Sequence, residues 1–504
     1  MRSYLKQFIG GEWIESRGGT RHEVINPATE EAVTEITLGS EADVDHAVAA
    51  ARKAFESFAR TSIDERVALI EAILAEYKNR AGDMAEAISL EMGAPISLAR
   101  TAQVGSGLGH LMSAAKALRE FRFEEQIGNS LVVHEPIGVV AMITPWNWPL
   151  NQIVSKVAPA LAAGCTMVLK PSEEAPGCAM IFAEVLAAAG VPAGVFNLVN
   201  GDGPGVGTAL SRHKGVDMVS FTGSTRAGVL VAKNAAETVK RVHQELGGKS
   251  PVVMGRSADI AQAAERVALG KMLNAGQICL APDYMLVPEE KEAAVVDGLI
   301  AAASRMYPTL LSNPDYTAVI NDRHYRRLTG WIEDARAKGA EVIAVNPANE
   351  DFSASNARKL PLHIIRNPTD DMTVMQEEIF GPVLPVRSYA RIEDAIGEVN
   401  RRDRPLALYY FGRDRAEQGR LLDRTVSGGV TVNDVIFHVS QEELPFGGIG
   451  PSGMGAYHGE IGFRTFSHAK AVYSQPRIDV AKLAGMKPPY GKATQATIKR
   501  QMKG

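Results

Sequence analysis

The stretch Val139-Val140-Ala141-Met142-Ile143-Thr144-Pro145-Trp146-Asn147-Trp148-Pro149 decides the fold. An unbroken apolar run opens it, as in a strand buried on both faces, and a Pro-rich turn then leads into a helix-length stretch, Pro149–Ala163. The pattern repeats downstream. Residues 166–169, 195–199, 218–221 and 239–246 are further short apolar runs, with helix-length connections such as 176–189 between them. This alternation predicts an α/β fold built on a doubly wound parallel sheet. Ligands in such sheets gather at the carboxyl ends of the strands.

Upstream, residues 8–36 read as short strands and turns punctuated by Gly10-Gly11 and Asn26-Pro27. Ser62 with Glu65 forms a capping box, and Val67, Ile70, Leu74 and Tyr77 then recur at the spacing of one buried helical face. A second α/β region runs from about 250 to 448, with helical stretches at 257–273 and 323–338 and strands near 284–287, 383–386, 407–411 and 430–432. Without a repeat or a low-complexity linker, the two regions are expected to pack together and leave a cleft between them. The tail, 477–504, carries seven Lys/Arg against the single Asp479 and reads as a solvated helix or as an arm on a partner subunit.

The 504 residues, 45% of them hydrophobic, correspond to two to four domains at roughly 100–200 residues each. Charge is balanced, 54 basic against 58 acidic residues for a net of −4, which removes the basic excess of a nucleic-acid binder. The first residues lack a signal-peptide apolar core, and no run reaches the roughly 18 apolar residues of a membrane span. A cytoplasmic location without membrane partners is expected. Three cysteines, Cys165, Cys178 and Cys279, are too few and too scattered for a disulfide framework or a CxxC metal site.

Several stretches carry possible chemistry. Cys279 lies in Asn274-Ala275-Gly276-Gln277-Ile278-Cys279-Leu280-Ala281-Pro282, where a Gly-containing bend and nearby backbone N–H groups suit a nucleophile, or the thiol is a buried structural one. Cys165 and Cys178 read as packing residues. Glu245 closes the last strand of the first region, in Glu245-Leu246-Gly247-Gly248-Lys249, and suits a general base whose pKa partial burial raises. Asn147, inside Pro145-Trp146-Asn147-Trp148-Pro149, supplies a neutral amide donor between aromatic walls. Lys170-Pro171-Ser172-Glu173 ends a strand and could hydrogen-bond a ribose. Phe221-Thr222-Gly223-Ser224 opens a helix whose N–H groups could face a pyrophosphate. Gly201-Asp202-Gly203-Pro204-Gly205-Val206-Gly207 lacks the Gly-Lys-Ser/Thr of a P-loop and reads as a tight turn or an adenine-pocket wall.

Taken together, in this order and with Cys279 placed 34 residues after Glu245, these stretches resemble the aldehyde dehydrogenase superfamily. Further matches are Phe8-Ile9-Gly10-Gly11-Glu12-Trp13, Asn26-Pro27-Ala28-Thr29, Glu377-Glu378-Ile379-Phe380-Gly381-Pro382 and Pro445-Phe446-Gly447-Gly448. The resemblance implies an NAD-binding domain (1–120 and 137–248), a catalytic domain (249–448), and an oligomerisation arm with the C-terminal tail (121–136 and 466–504). The arm is a hairpin near 121–135 and a strand near 471–473. A homo-oligomer, dimer or tetramer, is implied with it.

Carried over by position, the resemblance makes Cys279 the nucleophile, Glu245 the general base, and Asn147 with the Cys279 N–H the oxyanion hole. It assigns Lys170 and Glu173 to the adenosine ribose, Ser224 to the pyrophosphate, and Glu378 and Phe380 to the nicotinamide ribose and ring. Thr144, Pro145, Trp146, Ser172, Gly203, Gly207, Phe221, Gly223, Leu246 and Gly247 complete the expected cofactor site. NAD is the expected cofactor, because Glu173 accepts from a 2′-hydroxyl and repels a 2′-phosphate, with NADP admitted as an alternative. No metal is called for. Trp148, Gln152, Ile278, Leu280 and Phe437 are the expected substrate lining, apolar enough for aromatic or medium aliphatic aldehydes.

The resemblance is divided along the chain. Up to about Pro251 it is closest to the broad, often tetrameric branch. Beyond, Cys279-Leu280-Ala281-Pro282-Asp283-Tyr284, Val432-Asn433-Asp434-Val435 and Ser452-Gly453-Met454-Gly455-Ala456-Tyr457-His458-Gly459 resemble coniferyl aldehyde dehydrogenases of the class-three branch, as does the Lys487-Pro488-Pro489-Tyr490 tail. The chain reads as a recombined or engineered mosaic joined within 245–251, or as a divergent natural lineage. Two other functions use the same fold: a CoA-acylating dehydrogenase, which typically lacks the glutamate that Glu245 supplies, and a scaffold protein without turnover.

Overall fold

A computed structural model describes residues 1–355 and 357–503. Asn356, within the expected catalytic range, and Gly504, at the end of the tail, lie outside the described residues.

The apolar runs form the centre of an eight-stranded sheet. Its spatial order is Gly453–Met454, Arg241–Glu245, Met218–Thr222, Val139–Ile143, Thr166–Lys170, Phe196–Leu198, Lys6–Ile9 and Glu12–Glu15. The strands from Arg241–Glu245 to Phe196–Leu198 are mutually parallel, and antiparallel strands close both flanks. The chain runs outward from Val139–Ile143 through the next two strands, then returns to add Met218–Thr222 on its other side. The switch point therefore falls between these two strands, and the crevice beyond their carboxyl ends is the natural ligand site. Thr144 to Trp148 follow one strand there and Gly223-Ser224 follow the other.

A seven-stranded sheet holds Pro251–Met254, Tyr284–Pro288, Leu362–Arg366, Val383–Tyr389, Ala407–Phe411 and Gly429–Val432 in parallel, with Glu341–Val345 antiparallel at one edge. Helices Ile260–Met272 and Asp322–Ala337 belong to this half. A third sheet pairs the hairpin Glu124–Ile127 and Ser130–Pro136 with Ser467–Val472, so a segment near the C-terminus joins one more than three hundred residues earlier. No helix among the described residues is long and apolar enough to cross a membrane.

Local signals act as written in the sequence, with two corrections. The capping box forms: Ser62 N–H donates to Glu65 Oε2 at 2.7 Å, and Glu65 N–H to Ser62 Oγ at 3.2 Å. On that helix, Ile63–Asn79, the fully buried residues are Ile70, Ile73 and Tyr77, while Leu74 is only partly covered. The helix packs against more than one neighbour, which turns its buried face away from the expected stripe. Residues Gly203–Gly207 form a helical turn, not a tight turn, because Asp202 Oδ1 accepts from Gly205 N–H at 2.7 Å and caps it. Cys165 and Cys178 are fully buried, as packing residues should be.

Candidate active site

The helix Ile260–Met272 ends in an unusual turn. Asn274, Ala275 and Gly276 all have left-handed backbones, with φ of 53°, 52° and 71°. Two non-glycine residues in that region are strained, and the surroundings must hold them. Gln277 supplies the hold: its Nε2 donates to the Asn274 and Ala318 carbonyls at 3.1 and 3.0 Å, and its Oε1 accepts from Ile320 N–H at 3.0 Å. Gly276 is required in this turn, since a Cβ would lie 2.4 Å from the Gly381 carbonyl oxygen. Gly276→Ala is expected to lower stability by about 2 kcal/mol or more and to reduce turnover with it. Urea unfolding checks this, and a variant as stable as the parent contradicts it.

This turn delivers Cys279 to the crevice of the first sheet. Asn147 Nδ2 donates to the Gln277 carbonyl at 3.1 Å, and Asn274 Nδ2 donates to the Asn147 carbonyl at 3.2 Å. The two loops are thus tied by reciprocal amide bonds, which leave one Asn147 N–H free to serve a developing oxyanion. Cys279 is partly exposed. Burial of its sulfur pushes the thiol well up, the carboxyls of Glu378 and Glu245 push it the same way, and the N–H groups of Cys279 and Leu280 oppose them.

Glu245 ends its strand with only 3% of its surface exposed, and neither carboxyl oxygen has a hydrogen-bond partner among the described residues. Burial raises its pKa well above the ordinary value, and the charge of Lys156 counteracts this in part. Lys156 is itself fully buried. Its Nζ donates to Thr222 Oγ1 and to Tyr457 Oη, both at 2.6 Å, and burial brings its pKa down to about 7. His243 Nε2 stands 3.9 Å from Glu245 Oε1 and is kept neutral by burial. The residue-by-residue reading missed Lys156, His243 and Tyr457. A lysine in the apolar run Ile153-Val154-Ser155-Lys156-Val157 was the available signal, because a lysine buried there needs partners.

Glu378 faces the same chamber. A Cβ on Gly247 would fall 1.9 Å from its Oε2, so the carboxyl rests directly on the Gly247–Gly248 backbone. Burial, then the nearby Asp283, raises Glu378 to about 8, against the Gly248 N–H, Lys249 and Arg327. Lys249 Nζ anchors this loop by donating to Asp283 Oδ2 and to the Val374 and Glu377 carbonyls, each at 2.8 Å. Arg327 donates to the Ile379 carbonyl at 2.8 Å. Phe380 meets the Trp146 ring edge-on at 5.7 Å.

Other expected cofactor residues stand at the ends of the neighbouring strands. Thr144 is buried and its Oγ1 has no partner among the described residues. Lys170 Nζ donates to Glu173 Oε2 at 3.1 Å and to the Pro171 carbonyl at 2.8 Å, with Ser172 buried beside them. Burial, the largest influence, would raise Glu173, but the Lys170 charge together with hydrogen bonds from the Glu173 N–H and Lys170 outweighs it and holds the carboxyl below its ordinary value. A Cβ on Gly207 would lie 3.9 Å from Lys170 Cδ, which sets the Gly203–Gly207 turn beside this pair. Ser224 caps the helix Thr225–Ala236, its Oγ accepting from Ala227 N–H at 3.4 Å. Gly223 lies against the Phe221 ring, and Leu246 packs on Gly228 of the same helix.

The expected substrate residues are dispersed in burial. Trp148 is half-buried with an unpartnered Nε1, and Gln152 and Ile278 are buried. Leu280 packs in the core, its carbonyl accepting from Tyr409 Oη at 2.5 Å, whereas Phe437 is 46% exposed on the short turn Phe437–Ser440.

A partly exposed thiol beside a buried amide and a buried carboxyl at the carboxyl edge of such a sheet define a class, and comparison with known proteins gives the family. The chain belongs to the aldehyde dehydrogenase family, whose family model matches residues 13–472. As a member it is an NAD(P)-dependent aldehyde dehydrogenase. It is 47% identical over 455 residues to a probable coniferyl aldehyde dehydrogenase of Caulobacter vibrioides, covering 88% of this chain and 93% of the relative. A 3-succinoylsemialdehyde-pyridine dehydrogenase of a Pseudomonas species is 43% identical over 479 residues, 94% of this chain and 99% of the relative. Among solved structures, a Pseudomonas syringae aldehyde dehydrogenase C mutant, with NAD+ and octanal, superposes with a TM-score of 0.88 at 39% identity, covering 94% and 98% of the two chains. A 455-residue match cannot fit behind Pro251, so likeness to a coniferyl aldehyde dehydrogenase extends into the front half. The expected junction at 245–251 gains no support from these comparisons.

Proposed function

We propose that this chain oxidises aromatic and medium-length apolar aldehydes to carboxylic acids through a thioester on Cys279, with NAD as the preferred cofactor. The observation that carries the reading is one chamber holding Cys279, the unpartnered carboxyl of Glu245, and Asn147 tied to the cysteine loop. The apolar preference is supported by the lining of Trp148 and Ile278 and by the octanal bound in the solved relative.

The residues present fit a dinucleotide. An orphaned Thr144 hydroxyl, the N-terminus of Thr225–Ala236 and the Lys170–Glu173 pair, each beyond the carboxyl end of a strand of this sheet, support that fit. Glu378 and Phe380 stand at the Cys279 end of the crevice. When bound, the nicotinamide supplies the hydride acceptor.

Each chain residue then has a defined task. Cys279 Sγ, once deprotonated, bonds to the carbonyl carbon, and the oxygen takes the negative charge. The free N–H of Asn147 and the backbone N–H of Cys279 stabilise that oxyanion. Its collapse re-forms the carbonyl as hydride departs, leaving a thioester. Glu245, as a carboxylate, removes a proton from water, whose oxygen attacks the thioester carbon. The C–S bond breaks, the carboxylic acid leaves, and the thiolate is restored.

A panel of benzaldehyde-like, cinnamaldehyde-like, aliphatic and charged aldehydes, each run with NAD and with NADP, tests the proposal. Acid formed without CoA, with higher kcat/KM for the apolar members, is the expected result. A preference for charged semialdehydes contradicts the substrate assignment. Glu173→Gln should raise the NADP-to-NAD ratio of kcat/KM about tenfold, the effect of roughly 1.4 kcal/mol of relieved repulsion toward a 2′-phosphate. An unchanged ratio removes Glu173 from cofactor choice. The sheet of Glu124–Ile127, Ser130–Pro136 and Ser467–Val472 is the proposed oligomerisation arm, its outer strand wholly exposed in the single chain.

A further inference from the structure

Behind the catalytic chamber, three side chains converge that the oxidation chemistry does not use. His110 comes from the helix Val104–Glu120, Glu442 from the loop after Phe437–Ser440, and His458 from the residue that precedes the helix Gly459–Thr465. One nitrogen or oxygen of each lies within 4.8 Å of the others. Both histidines are more than nine-tenths buried. They border a small cavity of about 20 Å³, lined also by Ser113 and Ser155. That volume holds about one water or one ion.

The hydrogen bonds sort the nitrogens. His110 Nε2 lies 2.8 Å from Asn151 Oδ1, and its Nδ1 lies 2.8 Å from Glu442 Oε1. The Glu442 carboxylate can only accept, so at 2.8 Å it takes a proton from Nδ1; a cation held there would replace that proton and leave the Nε2 proton directed at Asn151 Oδ1. A second-shell acceptor of this kind normally fixes the tautomer of a metal-binding histidine. His458 Nδ1 is buried without any partner among the described residues, although the ring also approaches the carbonyls of Leu444 and Gln441. An imidazole buried with an unused nitrogen, in a ring that comes within 4.8 Å of a carboxylate and a second imidazole, lacks a reason in packing alone.

We propose that His110 Nδ1, Glu442 and His458 Nδ1 form a binding site for one divalent transition-metal ion, zinc by its donor set, that clamps the 442–458 segment onto the helix Val104–Glu120. Two imidazoles and one carboxylate match zinc, whereas magnesium and calcium take oxygen ligands. His110 and Glu442 are already at ligand spacing. Around a tetrahedral zinc the donors stand roughly 3.3 Å apart, so a small closing movement within the present 4.8 Å bound completes the set, with water in the fourth position. Tyr457, next to His458, holds Lys156. The clamp therefore ends beside the catalytic chamber without entering it.

Zinc titrated into the chelator-treated full chain tests the site, in a Cys279→Ala background that removes the competing thiol. Calorimetry is expected to give one equivalent bound per chain, and the melting temperature should rise with zinc. His458→Ala and Glu442→Gln should each weaken binding at least about 100-fold. Asn151→Ala, which touches no ligand lone pair, should weaken it about 10- to 100-fold and serves where a ligand variant fails to fold. Copper(II) in the same site should show nitrogen couplings from two imidazoles by electron paramagnetic resonance. Absence of binding at micromolar zinc, binding unchanged in His458→Ala, or binding unchanged in Asn151→Ala overturns the proposal. None of these outcomes depends on aldehyde turnover.

Discussion

Cys279→Ala should abolish aldehyde oxidation, with kcat falling roughly a million-fold to the background of the assay. The expectation rests on covalency: without Sγ no thiohemiacetal forms, and the Asn147 amide has no oxyanion to stabilise. Binding should survive. NAD measured by fluorescence quenching is expected to bind the variant within about threefold of the parent, because the residues that fit the adenosine end stand on separate strand ends and helix termini. Residual turnover above background, or comparable losses in Cys165→Ala or Cys178→Ala, would place the nucleophile elsewhere. Those two thiols are fully buried, whereas Cys279 is partly exposed, which makes them poor competitors.

Glu245→Gln should separate the two halves of the reaction. The acylating half needs the thiolate and a hydride acceptor, whereas the hydrolytic half needs a base for water. A burst of about one reduced nicotinamide per active site is therefore expected, followed by a steady state about 100- to 10,000-fold slower. The pH profile carries a second signature. Burial holds Glu245 protonated well above the usual carboxylate range, and only the ionised form accepts a proton. Steady-state turnover of the parent should accordingly rise with pH through that elevated pKa, and the rise should be lost in Glu245→Gln. Stability runs the other way. A carboxyl with a raised folded-state pKa stabilises fully below its unfolded value, and the contribution falls as pH climbs through the folded one. The parent should thus lose stability relative to Glu245→Gln as pH rises above the ordinary glutamate value. Rapid-mixing absorbance and urea unfolding across pH check both signs.

The parts of the fold legible in the sequence were those written in contiguous residues. The run Val139–Ile143 and its counterparts declare buried parallel strands, and the candidates Asn147 and Glu245 stand at the ends of such runs, where sheet geometry collects ligands. Glu245 and Asn147 were readable as candidates for that reason, whereas Cys279, beyond the turn that ends Ile260–Met272, was readable from its Gly-containing bend and from the resemblance. Relations across long separations were not. Lys156 meets Tyr457 over 301 positions, and neither residue announces the other locally. Gly453–Met454 pairs with Arg241–Glu245 although two residues of Gly and Met carry no strand pattern. His110, Glu442 and His458 are likewise ordinary in their own segments and acquire meaning only where three elements meet. The left-handed Asn274-Ala275-Gly276 turn was partly legible: Gly276 suggested a bend, but its two strained neighbours are held by Gln277, whose role local propensity cannot show.

The most direct test of the central claim is intact-protein and peptide mass spectrometry of Glu245→Gln, quenched in acid during the burst with benzaldehyde and NAD. One added benzoyl group per chain is expected, located on the peptide that contains Cys279 and removed by hydroxylamine. A burst without an adduct, or an adduct on Cys165 or Cys178, contradicts the claim.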